Sequence, residues 1–153
     1  MTTFFFDYCI GVKIPQRLRE LCPGAGIECF DEQFPYATAE ARHDDHWLPI
    51  VGAKGWFVVS KDRHYHRRAP ERAAVMQYGV GCFCLGGGQK RGDELLALFL
   101  EKLEAMLQLA ESTPRPFIYI VPFGSAIRAI PLVSSGTQEA GAAEGQSGQQ
   151  QQD

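Results

Sequence analysis

The chain has 153 residues, of which 45 % are hydrophobic and 22 % are charged, and its formal net charge is −3. These totals are ordinary for one globular domain with a substantial core. They exclude a protein that attracts nucleic acid through an overall positive field, so any such role requires local clusters of basic residues.

The chain also lacks the usual signals of membrane insertion and export. No segment approaches the roughly 18 consecutive apolar residues of a membrane span. The N-terminal MTTFFFDYC has no basic region and places an acid directly after its aromatic run, which is not typical of a secretion signal. The five cysteines are odd in number and form no CxxC pair, which indicates reduced thiols. We therefore expect a cytoplasmic protein.

The first half of the sequence predicts strands that alternate with helices. Short apolar runs predict buried strands, while Pro and Gly mark where helices begin and end. In chain order we predict a strand in TFFFDYC (3–9), a helix in IPQRLRELC, a strand in GIECF (26–30), a loop in DEQFPYATAEARH, a helix in DDHWLPIVGAKG capped by Asp44, and a strand in WFVVSKD.

The second half continues this alternation. We predict a helix in APERAAVMQYG, a strand in VGCFCLGGG, a long helix in GDELLALFLEKLEAMLQLAEST, and a closing hairpin in RPFIYIVPFGSAIRAIPL that turns at residues 123–125. The long helix has a leucine stripe made of Leu96, Leu100, Leu103 and Leu107. Such a stripe is usually part of the core, and a homodimer interface is the alternative.

Strands that are apolar throughout, separated by helices, are typical of a parallel sheet covered on both faces. We therefore predict an α/β fold of three layers, with a central, mainly parallel sheet of about four or five strands flanked by helices. The domain covers residues 1–133. Residues 134–153 are rich in Gly, Ala, Gln and Ser, and predict a disordered low-complexity tail.

Four aspartates stand where such a fold would place a ligand, just beyond the carboxyl ends of the strands. Asp7 and Asp62 end predicted strands, and Asp44 and Asp45 open a predicted helix. Carboxylate oxygens suit Mg²⁺ or Mn²⁺, which activate water for attack on a phosphodiester. We predict all four as catalytic acids, with Asp7, Asp44 and Asp62 as the metal ligands. Each acid alone could instead cap a helix or pair with an arginine.

A basic stretch follows the third predicted strand, and it suits the phosphates and stacked bases of single-stranded RNA. The candidate RNA-binding residues are Lys61, Arg63, His64, Tyr65, Arg67 and Arg68. A solvated, basic helix entry is the plainer alternative. A zinc site built from the histidines is a further alternative, but the sequence contains no HExxH-like frame.

Two segments, FFFDYCIGVKIPQRLREL and DDHWLPIVGAKGWFVVSKDRHYHRRAPERAAVMQYGVGCFCL, resemble the PIN-like domains grouped with VapC-type toxins. The resemblance covers roughly residues 3 to 132. In that family an acid ends the first strand, an acidic pair opens a helix that ends in W-L-P, and "KD" ends the next core strand. Asp7, Asp44 with Asp45, and Asp62 match these positions.

The resemblance implies a metal-dependent endoribonuclease, often a toxin that a partner antitoxin neutralises. PIN domains often carry a fourth acid near the "KD" aspartate, and His64 stands two residues after Asp62 instead. The resemblance therefore leaves a second function open, a catalytically inactive module that binds RNA or a protein.

Overall fold

The apolar runs form the strands of one six-stranded sheet in the computed structural model, which describes residues 1–61, 69–86 and 91–132. The strands are β1 (Thr3–Phe6), β2 (Gly26–Cys29), β3 (Phe57–Ser60), β4 (Gly81–Leu85), β5 (Phe117–Val121) and β6 (Arg128–Ile130). Their order across the sheet is β2-β1-β3-β4-β5-β6. All neighbouring strands are parallel except β5 and β6. The predicted α/β fold is confirmed, and the closing hairpin brings the total to six strands.

Helices connect the parallel strands. Within the described residues they are α1 (Lys13–Leu21), α2 (Phe30–Gln33), α3 (Asp44–Ala53), α4 (Ala69–Tyr78) and α5 (Gly92–Ser112), with a 3-10 helix at Glu40–Arg42. The short α2 and the 3-10 helix lie in the segment for which we predicted a loop. Phe30, which is 1 % exposed, anchors α2 to the core, and this long-range contact is invisible in the local sequence.

The side chains of β1 point alternately to the two faces of the sheet, and this divides the core into two layers. Phe4 and Phe6 point to one face, where they pack with α1 and α5. Phe5 points to the other face, where it packs with α2, α3 and α4. All four residues of β3 are buried, as expected for a strand covered on both sides. The three-layer arrangement of helices, sheet and helices follows from this division.

The leucine stripe of α5 lies beside the most buried face of the helix. Leu96, Leu103 and Leu107 are partly buried against the chain's own core, while Leu100 is 38 % exposed. The most buried positions of α5 are Leu95, Leu98, Phe99, Met106 and Ala110. Three of the four predicted leucines therefore contribute to the core of the monomer, and the homodimer stays a prediction.

The end of the described chain is the predicted hairpin. β5 and β6 pair antiparallel, and Gly124 in the turn has a φ of +70°, a conformation that glycine adopts most readily. The predicted tail at 134–153 lies outside the described residues. Among the residues that are described, no helix is both long and apolar enough to cross a membrane.

Hydrogen bonds of Arg19 connect α1 to β2 and α2. The Arg19 Nε donates to the carbonyl of Ile27 at 2.9 Å, and its terminal nitrogens both donate to the Glu32 carboxylate. Hydrogen bonds from Arg19 lower the pKa of Glu32 from 4.5 to about 2. Because the folded-state pKa lies below the usual value, the pair stabilises the fold above about pH 4.5 and loses its effect as the pH falls towards 2.

We expect Glu32→Gln to lower the free energy of unfolding at pH 7 by at most about 1 kcal/mol, because the pair is partly exposed to solvent. The difference from wild type should shrink between about pH 4.5 and 2 in urea titrations. Glu104→Gln, at an exposed position of α5, is the control and should have no effect. A difference that stays constant down to pH 2 would contradict this role of the ion pair.

Candidate active site

Asp7 is a buried carboxylate at the carboxyl end of β1. Its amide N–H donates to the carbonyl of Val59 at 3.1 Å, so the β1–β3 ladder continues through it. The alternation of the strand turns its side chain to the face of Phe5, which α3 and α4 cover. Asp7 is only 4 % exposed. A charged group in such a position needs hydrogen-bond donors or a cation.

Cys9 supplies two of those donors. Its backbone N–H donates to Asp7 Oδ1 at 3.1 Å, and its thiol donates to the same oxygen at 2.6 Å. Burial, followed by the charge of Asp7, raises the pKa of Cys9 to about 12. The thiol therefore stays protonated at neutral pH and acts as a donor to Asp7, not as a nucleophile. The sequence predicted Cys9 only as one of five reduced thiols, although its position two residues after an acid that ends a strand was an available signal.

The two strands next to β1 on one side, β3 and β4, place further polar side chains beside Asp7. Ser60 ends β3, is fully buried, and its Oγ lies 3.8 Å from the Cys9 Sγ. Ser60 pairs in register with Cys84 of β4, and both point to the face covered by α3 and α4. The carboxyl ends of β1, β3 and β4 therefore present Asp7, Ser60 and Cys84 side by side.

Helices α3 and α4 lie side by side, and each precedes a strand of the parallel part of the sheet. Both helices therefore run in the same direction and begin above Asp7, Ser60 and Cys84. At Gly52, near the end of α3, an added Cβ would lie 2.6 Å from the carbonyl oxygen of Tyr78, the last residue of α4. Asp45 and Glu71 each lie seven residues before this contact, a distance of about 10 Å along a helix. The two helix N-termini therefore reach the carboxyl edge together, where their dipoles favour negative charge.

Asp44, in the first turn of α3, is partly buried, and the adjacent Asp45 is exposed. Burial raises the pKa of the Cys82 thiol well above its usual value, and the charges of Cys84, Asp44 and Asp7 add to this effect. The choice of Asp44 over Asp45 as the metal ligand stays a prediction.

Glu71 is an acid that the sequence pattern did not single out. It lies in the first turn of α4, on the stripe that continues through the buried residues Ala74 and Val75. Its Oε2 is buried and has no hydrogen-bond partner among the described residues. A buried carboxylate oxygen without a donor is a ready ligand for a cation. The sequence signal that could have identified Glu71 was its position in the first turn of a helix that begins at the carboxyl edge of the sheet.

The sequence signature of the family described as a PIN-like domain matches residues 2–87, more than half of the chain. The chain belongs to the PIN-like domain family. The matched region runs from β1 through β4 and contains Asp7, Asp44 and Glu71. Comparisons with curated proteins and with solved structures gave no match.

The remaining predicted site residues of this PIN-like domain, apart from Lys61, fall in a segment that the structure does not describe. Lys61 is described and partly buried. Outside the described residues lie Asp62, Arg63, His64, Tyr65, Arg67 and Arg68. His43 and His46, considered for a zinc site, are both exposed, and His64 and His66 fall in the same undescribed segment.

The donor chemistry of the PIN-like domain fits a hard divalent cation. Asp7, Asp44 and Glu71 offer carboxylate oxygens, which Mg²⁺ and Mn²⁺ prefer, while the nearby Cys9 and Cys82 thiols have raised pKa values. Within residues 1–61, 69–86 and 91–132, no group of three or more His, Cys, Asp or Glu side chains is close enough to hold a metal ion. Asp62 as a metal ligand stays a prediction.

We expect the Cys9 thiol to stabilise the protein through its hydrogen bond to Asp7. Cys9→Ala should lower the free energy of unfolding by about 1–3 kcal/mol, because a buried charge loses a donor, whereas Cys9→Ser retains a donor and should lose less. Urea unfolding at pH 7 measures both changes.

Cys22 provides a matched control because it is 5 % exposed and lies in an apolar cluster. There the order should reverse, with Cys22→Ser less stable than Cys22→Ala, since serine buries a hydroxyl among apolar groups. The same order of stability at both positions would contradict the proposed role of Cys9.

Proposed function

We propose that this PIN-like domain is a Mg²⁺- or Mn²⁺-dependent endoribonuclease. The observation that carries the proposal is Asp7, a carboxylate only 4 % exposed at the end of an apolar strand and beneath two helix N-termini. Asp44 and Glu71 approach the same edge from those helices. This combination suits a divalent cation and a phosphodiester better than it suits a nucleophilic thiol or serine mechanism.

In this proposal Asp7, Asp44 and Asp62 hold the ion, and Glu71 adds a fourth carboxylate where His64 supplies none. When bound, the ion would lower the pKa of a water molecule and neutralise charge that develops on the phosphodiester. Cys9 fixes the orientation of Asp7 by donating twice to one of its oxygens. Asp45, exposed beside Asp44, would orient the attacking water.

The proposed substrate is single-stranded RNA. Lys61 opens the basic stretch, and Arg63, Arg67 and Arg68 would contact phosphates while Tyr65 stacks on a base. His64 would contact the same strand.

We propose further that the protein is the toxin of a toxin–antitoxin pair, with RNA as its substrate and a cognate antitoxin as its protein partner. The family resemblance to VapC-type toxins supports this role. All five cysteines are free, the state that the reducing cytoplasm maintains, so the proposed location is cytoplasmic.

A catalytically inactive module that binds RNA or a protein is the second candidate function. Two observations favour it: the described side chains do not by themselves complete a site of three metal ligands, and a histidine follows Asp62 where many PIN domains carry an acid. RNA binding without cleavage at any Mg²⁺ or Mn²⁺ concentration would select this function.

We expect wild-type protein to cleave single-stranded RNA with Mn²⁺ or Mg²⁺ and to lose this activity in EDTA. Asp7→Asn should reduce cleavage by at least about a hundredfold, because the neutral amide binds a hard cation weakly. Expression of the wild type, but not of Asp7→Asn, should arrest cell growth. Glu104→Gln, an exposed acid on α5, is the control and should cleave normally. Full activity of Asp7→Asn in the presence of EDTA would refute the proposal.

Glu71→Gln separates a metal ligand from a purely structural acid. The substitution preserves shape and removes a carboxylate whose Oε2 is buried without a hydrogen-bond partner among the described residues, so the metal-free protein should be as stable as wild type or more stable. The Mn²⁺ concentration needed for half-maximal cleavage should rise about tenfold or more. Unchanged metal dependence combined with lower stability would instead show that Glu71 supports only the fold.

A further inference from the structure

Tyr8 is an exposed aromatic residue next to the buried Asp7. It is 45 % exposed, and its ring packs edge-on against Phe30, with 5.9 Å between ring centroids and an interplanar angle of 64°. Phe30 in turn contacts Trp47 of α3, with 6.4 Å between the ring centroids. The ring of Tyr8 is therefore supported from behind by buried aromatic residues while part of its surface faces solvent.

Arg42 covers this ring with a positive charge. Its guanidinium carbon lies 5.4 Å from the centroid of the Tyr8 ring, within the range of a cation–π contact. The indole N–H of Trp47 donates to the Arg42 carbonyl at 3.2 Å, which holds the backbone of Arg42 in place. Arg42 is an exposed residue, and the ion pairs between described residues do not include it.

The pair lies on the β2 side of β1, whereas Lys61 follows β3 on the other side. β2 and β3 flank β1 on either side, and Tyr8 packs against Phe30, which directly follows β2. The stretch that begins at Lys61 directly follows β3. In the chain, Tyr8 is the residue after Asp7, and Arg42 lies two residues before Asp44.

We propose that Tyr8 and Arg42 form a platform for one nucleotide of the RNA substrate. The exposed surface of the Tyr8 ring stacks against a base, and the Arg42 guanidinium pairs with the adjoining phosphate. The RNA strand then passes over Asp7 to reach the platform, with the scissile phosphodiester beside Asp7. This inference rests on the proposed ribonuclease function and assigns that function a substrate-binding subsite.

Binding of RNA by cleavage-dead protein tests the platform separately from catalysis. We would measure fluorescence anisotropy of a labelled single-stranded RNA of about 12 nucleotides. The protein would carry Asp7→Asn, and the buffer would contain EDTA. Tyr8→Ala should weaken binding about tenfold, while Tyr8→Phe, which keeps the ring, should bind like the parent protein.

Arg42→Gln should weaken binding and reduce the slope of log affinity against log salt concentration by about 0.7, the loss expected for one phosphate contact of a single strand. Arg128→Gln, at an exposed arginine of β6 far from the site, is the control and should change neither quantity. In the active protein, Arg42→Gln should raise KM and leave kcat unchanged, an outcome that a merely structural contact with Tyr8 would not produce.

The outcomes distinguish this inference from the proposed function. If the parent protein binds RNA while Tyr8→Ala and Arg42→Gln bind it equally well, the platform is wrong and the ribonuclease proposal stands. If wild-type protein neither binds nor cleaves RNA, both fall together. Should Tyr8→Ala unfold, as thermal denaturation would reveal, the salt slope of Arg42→Gln decides alone.

Discussion

The site depends on one costly feature, the burial of the Asp7 carboxylate against an apolar sheet. At 4 % exposure, this group has lost most of its water, and the loss is tolerable only where donors or positive charge replace it. The structure provides two donors from Cys9 and two helix N-termini above the same edge. A divalent cation is the further partner that such an environment suits, and it would draw the neighbouring carboxylates inward.

The parallel sheet brings segments that are distant in the chain to one edge. Because β1, β3 and β4 run in the same direction, their last residues meet, and the helices that return along one face begin where these strands end. The close approach of Gly52 to Tyr78 aligns α3 with α4, and it thereby places the first turns of the two helices at the same level. Residues near positions 7, 44, 60 and 71 are thus brought to one edge by architecture alone. The same architecture leaves Tyr8 and Arg42 exposed on its flank.

The sequence predicted what depends on local pattern. Apolar runs identified the strands, and the acid directly after the first run predicted a carboxylate at the end of β1, because each signal lies within a few adjacent residues. Cys9, Glu71 and the short α2 were missed because their roles arise from tertiary packing: a thiol that meets a buried charge, a helix stripe that faces the sheet, and an aromatic anchor at Phe30. The leucine stripe of α5 was displaced by about one position, since leucines occur on more than one side of that helix and only packing selects the most buried face.

The most direct test of this account is the position of a bound metal ion. Crystals soaked in Mn²⁺ would be measured at a wavelength where manganese scatters anomalously. We predict a peak about 2 Å from a carboxylate oxygen of Asp7, with Asp44, Asp62 and Glu71 completing the coordination. An Asp7 carboxylate still held only by protein donors at saturating Mn²⁺, with manganese absent or bound elsewhere, would contradict the central claim.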